Sequence, residues 1–123
     1  MRGIAEYHSV SLESASNEQL VVMLYEAAVR HQQIALEALE DGDFEDGRHH
    51  LRRCRDIFGE LLVALDYDTA PELASNLARL YRWLITELGH AGFDRNAATI
   101  KGTLRVTRNL LGGWSEALGF GSP

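Results

Sequence analysis

Four segments of the chain repeat apolar residues at steps of three and four, the spacing that is typical of an amphipathic α-helix. The first contains the stretch QLVVMLYEAAVRH, residues 19–31, and carries two apolar stripes, so we expect burial on two of its sides. Breaks of a few residues, rich in Gly and Asp, separate the segments. Because short connections leave successive helices side by side, the sequence predicts an all-α fold, an antiparallel up-and-down four-helix bundle with an N-terminal extension.

The predicted helix ends depend on capping residues and on glycine. Ser16, Asp43 and Thr69 are expected to cap the first three helices. The third helix is expected to end at about Gly89 in GHAG, and Asp94 to cap the fourth.

The predicted organisation of the chain has three parts. These are an N-terminal extension over residues 1–15, the bundle over residues 16–118, and a disordered tail over residues 119–123. Gly112 and Gly113 each cost about 1 kcal/mol relative to Ala inside a helix, so we expect the last helix to fray or stop early.

Charge and composition exclude several classes of function. A net charge of −6 argues against a nucleic-acid partner, because phosphate binding needs an excess of Lys and Arg. No apolar run approaches the roughly 20 residues that a membrane span requires, so we expect no membrane insertion. The single cysteine, Cys54, cannot form an internal disulfide, which favours a cytoplasmic protein.

Candidate chemistry is sparse in the sequence. A bundle di-iron site needs Glu-x-x-His on two helices, and the chain has one copy, Glu87 to His90. His31 lies near the apolar face of the first helix and is expected to be a hydrogen-bonded histidine of the core rather than a ligand. Phosphate loops, CxxC pairs and nucleophile elbows are absent from the sequence. We therefore expect no enzyme activity, no cofactor and no metal.

The run RHHLRRCR, residues 48–55, concentrates four arginines in an acidic chain. We expect these arginines to form a solvated helix face paired to neighbouring Asp and Glu, rather than a receiving surface for an acidic partner or a phosphate. Adjacent residues on a helix point about 100° apart, so His49 and His50 do not converge on one metal ion. We expect both to be solvated.

More apolar positions are present than four helices need to cover one another. The second and third helices carry extra apolar residues at Ile57, Leu62, Tyr81 and Ile85. This surplus fits a groove for a partner helix, a dimer interface or a generous core, and periodicity alone does not choose between them.

The chain resembles a known family, and the resemblance begins with its N-terminal residues. The pattern Y-x-x-V-x-x-x-S-A-S-N-E-Q-L-V-x-M-L-Y-E, from Tyr7 to Glu26, is similar to the opening of the FliS family, the flagellar export chaperones of flagellin. Further matches are GDFED, RDIFGELLVALD and NLARLYRWLITEL, so the resemblance covers nearly the whole chain. The chain departs from the family pattern at Asn17, where proline is usual, at His31, where an aromatic residue is usual, and at DTAP, which replaces Gly-Gly.

The resemblance implies a function for the surplus apolar surface. A protein of this family binds the disordered C-terminal segment of flagellin in the cytoplasm, prevents its premature polymerisation, and delivers it to a component of the flagellar export apparatus. The residues then expected to form the flagellin groove are Tyr7, Val10, Ile57, Leu61, Leu65, Asn76, Leu77, Leu80, Tyr81 and Leu84. Of these, Leu77 and Tyr81 lie one turn apart and are expected to share one patch, which is exposed if it belongs to the groove and buried if it belongs to the core.

The N-terminal dozen residues contain apolar side chains that lie outside the predicted bundle. Ile4, Tyr7, Val10 and Leu12 precede the predicted cap at Ser16, and we expect them, with Tyr7 as anchor, to cover part of the groove until the client displaces them. The alternative for this segment is a disordered tail with no role. Two alternatives to the chaperone remain open at this point. One is a bundle that binds a metal or small ligand through His31, Glu87 and His90, and the other is a structural homodimer with no client.

Overall fold

A computed structural model of the chain describes residues 17–117, which form four α-helices. They are α1 (Asn17–Glu40), α2 (Phe44–Val63), α3 (Pro71–Asp94) and α4 (Ala97–Ala117). Helix α1 packs against α2 and α4, and α3 packs against the same two helices. With short connections between neighbours, this adjacency makes an up-and-down bundle, and the predicted all-α four-helix fold is confirmed. No helix among residues 17–117 is long and apolar enough to cross a membrane.

The core lies along the axis of the bundle and receives large side chains from each helix. The aliphatic residues Leu24, Leu51, Leu84 and Ile100 are each at most 2% exposed. Burying a side chain of this size stabilises a fold by about 1.5–3 kcal/mol, and this burial explains why four marginal helices fold as one unit. The two-sided burial expected of α1 is confirmed, although Met23 of its first stripe is 43% exposed.

Two of the four predicted helix starts differ from the structure. Asp43 caps α2 as predicted, since its side chain accepts a hydrogen bond from the backbone N–H of Asp46. Thr69 does not cap α3, because its N–H and hydroxyl donate to Asp66, and Ala70 occupies the N-cap position without a side-chain cap. Asn96 rather than Asp94 caps α4, accepting from the N–H groups of Ala98 and Thr99. The predicted cap at Ser16 lies outside the described residues.

Helix α3 continues five residues beyond its predicted end at Gly89. Leu88 and Ala91 are fully buried on either side of this glycine, and that packing outweighs the helix cost of about 1 kcal/mol that glycine carries. The helix ends where Arg95 adopts the left-handed conformation at φ 55°, and the Arg95 N–H donates to the Ala91 carbonyl. Likewise α4 runs through Gly112 and Gly113 to Ala117, so the early stop predicted for it is wrong.

Candidate functional site

A cavity of about 450 Å³ opens at the end of the bundle where α1 begins, α2 ends and α3 begins. Its lining is mostly apolar, with polar residues at its edge. The lining residues are Asn17, Glu18, Val21, Leu61, Ala64, Leu65, Asp66, Thr69, Ala70, Leu73, Ala74, Leu77, Tyr81 and Trp114. An apolar recess with a few polar groups at its edge is the usual form of a binding site for apolar side chains.

Beneath the cavity, each helix contributes one aromatic side chain to a cluster. Tyr25 of α1 lies 6.4 Å from Tyr81 of α3 and 6.4 Å from Trp114 of α4, measured between ring centroids. Phe58 of α2 lies 5.8 Å from Tyr81. These separations are within the range at which aromatic pairs attract one another, so the cluster gives the cavity a rigid base.

Within the cluster, the hydroxyl groups of Tyr25 and Tyr81 form a hydrogen bond across the bundle. Burial raises the pKa of both phenols above the ordinary value of 10, so both are neutral at physiological pH. A neutral, buried phenol pair supports structure and does not supply a proton or a nucleophile.

The connection between α2 and α3 forms one edge of the cavity and is fixed by Asp66. One oxygen of its carboxylate accepts hydrogen bonds from the N–H groups of Asp68 at 3.0 Å and Thr69 at 3.1 Å. The other accepts from the Thr69 hydroxyl at 2.6 Å. The bonds from Thr69 are the main reason that the pKa of Asp66 lies below its ordinary value. This local network positions Ala70 and Leu73 beside the cavity.

Exposed apolar side chains are present at this end of the bundle. Leu73, which lines the cavity, is 53% exposed, and nearby in the chain Val63 and Tyr67 are 64% and 45% exposed. Trp83, near the middle of α3, is 43% exposed. Of these exposed side chains, Leu73 is the one that lines the cavity.

The structure brings four of the predicted groove residues together at the cavity, namely Leu61, Leu65, Leu77 and Tyr81. Ile57 and Leu84 are buried in the core and do not line it. On α3, Asn76 is exposed and Leu80 is half-buried, and neither lines the cavity. Tyr7 and Val10 lie outside the described residues.

The patch of Leu77 and Tyr81 is buried rather than exposed. Leu77 is 9% exposed and Tyr81 is 1% exposed, and the Tyr81 ring packs against the rings of Phe58 and Tyr25. The surface that α3 offers at the cavity is instead carried by Leu73, one turn nearer its N-terminus. Apolar periodicity locates a stripe but does not show which end of the stripe a neighbouring helix covers.

Among the cavity residues that were not predicted from the sequence, Val21, Leu73 and Trp114 carry the largest apolar side chains. All three stand at apolar positions of their helices, so their type gave no signal beyond core packing. Only the meeting of α1, α3 and α4 at one end of the bundle distinguishes them.

His31 is hydrogen-bonded beside the core, as predicted, and its partner His50, which was predicted to be solvated, is half-buried. His31 Nδ1 of α1 lies 2.9 Å from His50 Nδ1 of α2, and His50 Nε2 lies 3.6 Å from an Asp46 carboxylate oxygen. Burial is the main cause that lowers the pKa of His31, and the neighbouring His50 and Arg53 act in the same direction.

The one Glu-x-x-His pair, Glu87 and His90, lies on the surface with a separation of 3.6 Å. Among residues 17–117, no three His, Cys, Asp or Glu side chains form a group that could hold a metal ion. Cys54 is fully buried, its thiol faces the Ala28 carbonyl, and burial raises its pKa, so it is not a reactive thiolate.

Comparison with known proteins gives consistent matches along the chain. The model of the family described as flagellar protein FliS matches residues 1–119. The flagellar secretion chaperone FliS of Campylobacter jejuni is 33% identical over 119 residues, covering 94% of this chain and 93% of that protein. The protein of the same name from Salmonella typhimurium is 32% identical over 119 residues, covering 93% of this chain and 88% of that protein.

A solved structure shares the fold. The crystal structure of a flagellar chaperone from bacteria superposes with a TM-score of 0.79 at 23% identity, and the match covers 97% of each chain.

Proposed function

This chain belongs to the FliS family of flagellar secretion chaperones, and we propose that its apolar cavity binds the C-terminal segment of flagellin. Like its family, it is a chaperone and not an enzyme. The observation that carries the proposal is the apolar recess between α1, α2 and α3, beside which Leu73 is half exposed.

The cavity suits apolar side chains of a segment that becomes helical when bound. Burying one Leu or Val side chain there contributes about 1.5–3 kcal/mol, and Leu73 adds exposed apolar surface beside the cavity. A client that is disordered beforehand loses conformational entropy on binding, which costs about 2–5 kcal/mol and holds the affinity at a moderate level. Moderate affinity suits a chaperone that must release its client.

The same proposal accounts for the cellular role. A flagellin segment whose apolar face is held in the cavity cannot present that face to other flagellin subunits. In the cytoplasm, this keeps flagellin unassembled until the complex reaches a component of the flagellar export apparatus.

Calorimetry and circular dichroism with a C-terminal flagellin peptide from the native organism test the proposal. We expect one peptide to bind per chain and to gain helix on binding. Leu73→Asp places a charge at the cavity on a side chain that is already 53% exposed, so the variant should remain folded and lose at least tenfold in affinity. Phe93→Asp is the matched control, because Phe93 is 87% exposed near the other end of α3, and it should bind like the unmodified protein.

Absence of both binding heat and helix gain would refute flagellin binding. Binding that Leu73→Asp leaves unchanged would show that the client lies elsewhere on the chain.

A further inference from the structure

A second groove lies between α2 and α3, toward the opposite end of the bundle from the cavity. It has a volume of about 180 Å³ and a mixed lining of arginines, two buried leucines, two glycines and one phenylalanine. The lining residues are Arg48, Leu51, Arg52, Arg55, Leu88, Gly89, Gly92 and Phe93. We call it the arginine groove.

The arginines of this groove are not engaged in ion pairs. Arg48, Arg52 and Arg55 are exposed, and in the described part of the chain none has a carboxylate oxygen within 4.0 Å. The pairing with nearby Asp and Glu that the sequence predicted is therefore absent for these three. Asp43, Glu45 and Asp46 share a shallow depression with Arg48 and Arg52, and Arg55 lies outside it.

Glycines of α3 let the arginine side chains lie close to the helix backbone. A Cβ atom at Gly89 would stand 3.4 Å from Arg55 Cζ, and one at Gly92 would stand 3.6 Å from Arg48 Cγ. Arg48 and Arg55 therefore rest against α3, and their positions are restricted before any partner arrives. Restricting a charged side chain in advance reduces the entropy that binding must overcome.

An apolar contact completes the groove. Phe93 is 87% exposed, the most exposed of the large apolar side chains among residues 17–117, while Leu51 and Leu88 beneath it are at most 2% exposed. Close to the same end of the bundle, the Arg95 guanidinium lies over the Phe44 ring, 4.1 Å from its centroid. An exposed aromatic side chain beside unpaired arginines has the composition of a protein-binding surface.

We propose that the arginine groove is a docking site for an acidic segment of a partner protein, with its carboxylates on Arg48, Arg52 and Arg55 and an apolar side chain against Phe93. Charge complementarity selects this occupant, because three exposed arginines without ion-pair partners are grouped on one groove of a chain whose net charge is −6. The arginines follow one another by four and three residues, so they span about 10 Å along α2. Carboxylates at the same helical spacing on the partner would face all three.

The arginine groove and the cavity can be occupied together. On α2, the groove is lined by residues 48–55 and the cavity by residues 61–65, which puts their centres about 17 Å apart along the helix axis. The proposal therefore does not depend on flagellin as client, and a chaperone loaded at one end would still present the other end to a partner.

Fluorescence anisotropy with a labelled synthetic peptide tests the proposal. The probe is a twelve-residue helix-forming peptide, blocked at both termini, with Glu at three positions spaced by four and three residues and one Leu beside them. Its control has Gln in place of each Glu. We expect the Glu peptide to bind at 20 mM salt and to lose most of its affinity at 300 mM salt, and the Gln peptide to bind at least tenfold more weakly.

Two sets of variants locate the binding. The combined variant Arg48→Gln, Arg52→Gln and Arg55→Gln should bind the Glu peptide at least tenfold more weakly. The matched control changes Arg82, Arg105 and Arg108 to Gln, which alters net charge equally on exposed parts of α3 and α4, and should lose less than twofold. Phe93→Ala should weaken binding about threefold with no change in salt dependence.

Equal losses in the two arginine sets would show attraction by overall charge and overturn the proposal, as would equal binding of the Glu and Gln peptides. Tighter binding of a twelve-nucleotide single-stranded DNA than of the Glu peptide, abolished by the groove variant, would assign the groove to phosphate and also overturn it. The groove variant should bind the flagellin peptide as the unmodified protein does. A result that refutes one of the two proposals therefore leaves the other standing.

Discussion

Buried polar side chains fix which helix faces meet. Gln32 of α1 is fully buried and donates to Thr107 Oγ1 of α4 at 2.9 Å, while Thr103 Oγ1 donates to Gln32 Oε1 at 2.8 Å. In the sequence, Thr107 is the one polar residue in the apolar stripe of α4, but nothing in the sequence identifies Gln32 as its partner. These bonds hold α4 at one register on α1, because any other would leave a buried amide unsatisfied.

The hydrogen bond between Tyr25 and Tyr81 at the base of the cavity is expected to contribute to stability. Tyr81→Phe removes the partner of the buried Tyr25 hydroxyl and should lower the free energy of unfolding by about 1–3 kcal/mol. The double variant Tyr25→Phe, Tyr81→Phe should cost less than the sum of the two single changes, because no hydroxyl is then left unpaired. Urea unfolding of the three variants measures this coupling, and strictly additive losses would contradict it.

The contact between His31 and His50 predicts a pH dependence. Burial is the main cause that lowers the pKa of His31 below the ordinary 6.5, and the neighbouring His50, Arg53, Arg30 and His49 act in the same direction. The unfolded chain therefore takes up this proton more readily than the folded one. Stability should be retained above about pH 6.5 and fall as the pH is lowered through that value toward the folded pKa.

Denaturant unfolding at a series of pH values from 7.5 to 5 measures the effect. His31→Gln should flatten the slope, whereas His90→Gln, on an exposed part of α3, should leave it unchanged. An unchanged slope in His31→Gln would assign the pH dependence to other groups.

At the scale of the helix, glycine has opposite consequences at two places on α2. A Cβ at Gly47 would stand 3.2 Å from Leu39 Cγ and Cδ2, whereas one at Gly59 would meet nothing within 4 Å. Gly47 thus allows α2 to approach α1 closely. Gly59 allows no such contact and only lowers the helix propensity of α2.

Substituting alanine for Gly47 and for Gly59 compares the effect of close packing with that of helix propensity alone. Gly59→Ala should raise the free energy of unfolding by about 0.5–1 kcal/mol through helix propensity. Gly47→Ala gains the same propensity but crowds Leu39, and overpacking of this kind costs about 1–3 kcal/mol, so the net effect should be destabilising. Thermal unfolding compares the two, and equal stabilisation would show that Leu39 moves aside without cost.

For the whole molecule, the apolar cavity lies at one end of the bundle and the arginine groove lies toward the other. The cavity with Leu73 lies where α2 ends and α3 begins, and the arginine groove with Phe93 lies where α3 ends. Such a distribution fits a chaperone that holds a client while another protein contacts it.

The residues before α1 provide a prediction for the whole chain. If they cover the cavity as expected from the sequence, deletion of residues 1–12 should tighten flagellin-peptide binding and increase the fluorescence of an apolar dye, because apparent affinity falls with the fraction of closed molecules. Tyr7→Ala should have the same effect but more weakly. Calorimetry decides this, and weaker binding by the deletion variant would identify the segment as a direct contact for the client instead.

Apolar periodicity by itself determined the number of helices, the all-α fold, and most of the core. That information is local, since steps of three and four along one segment define its buried face. The family resemblance likewise required only residues such as Tyr7, Met23, Leu24 and Tyr25 in order along the chain.

Tertiary structure alone decided which apolar positions line the cavity and where α3 ends. Tyr81 and Leu73 are both apolar positions of α3, but Tyr81 is buried because Tyr25 and Phe58 from other helices meet it, whereas Leu73 extends past that contact. Gly89 breaks a pattern in the sequence and yet lies inside α3, because Leu88 and Ala91 are buried beside it. Both outcomes depend on contacts between residues far apart in the chain, and a local sequence pattern does not show such contacts.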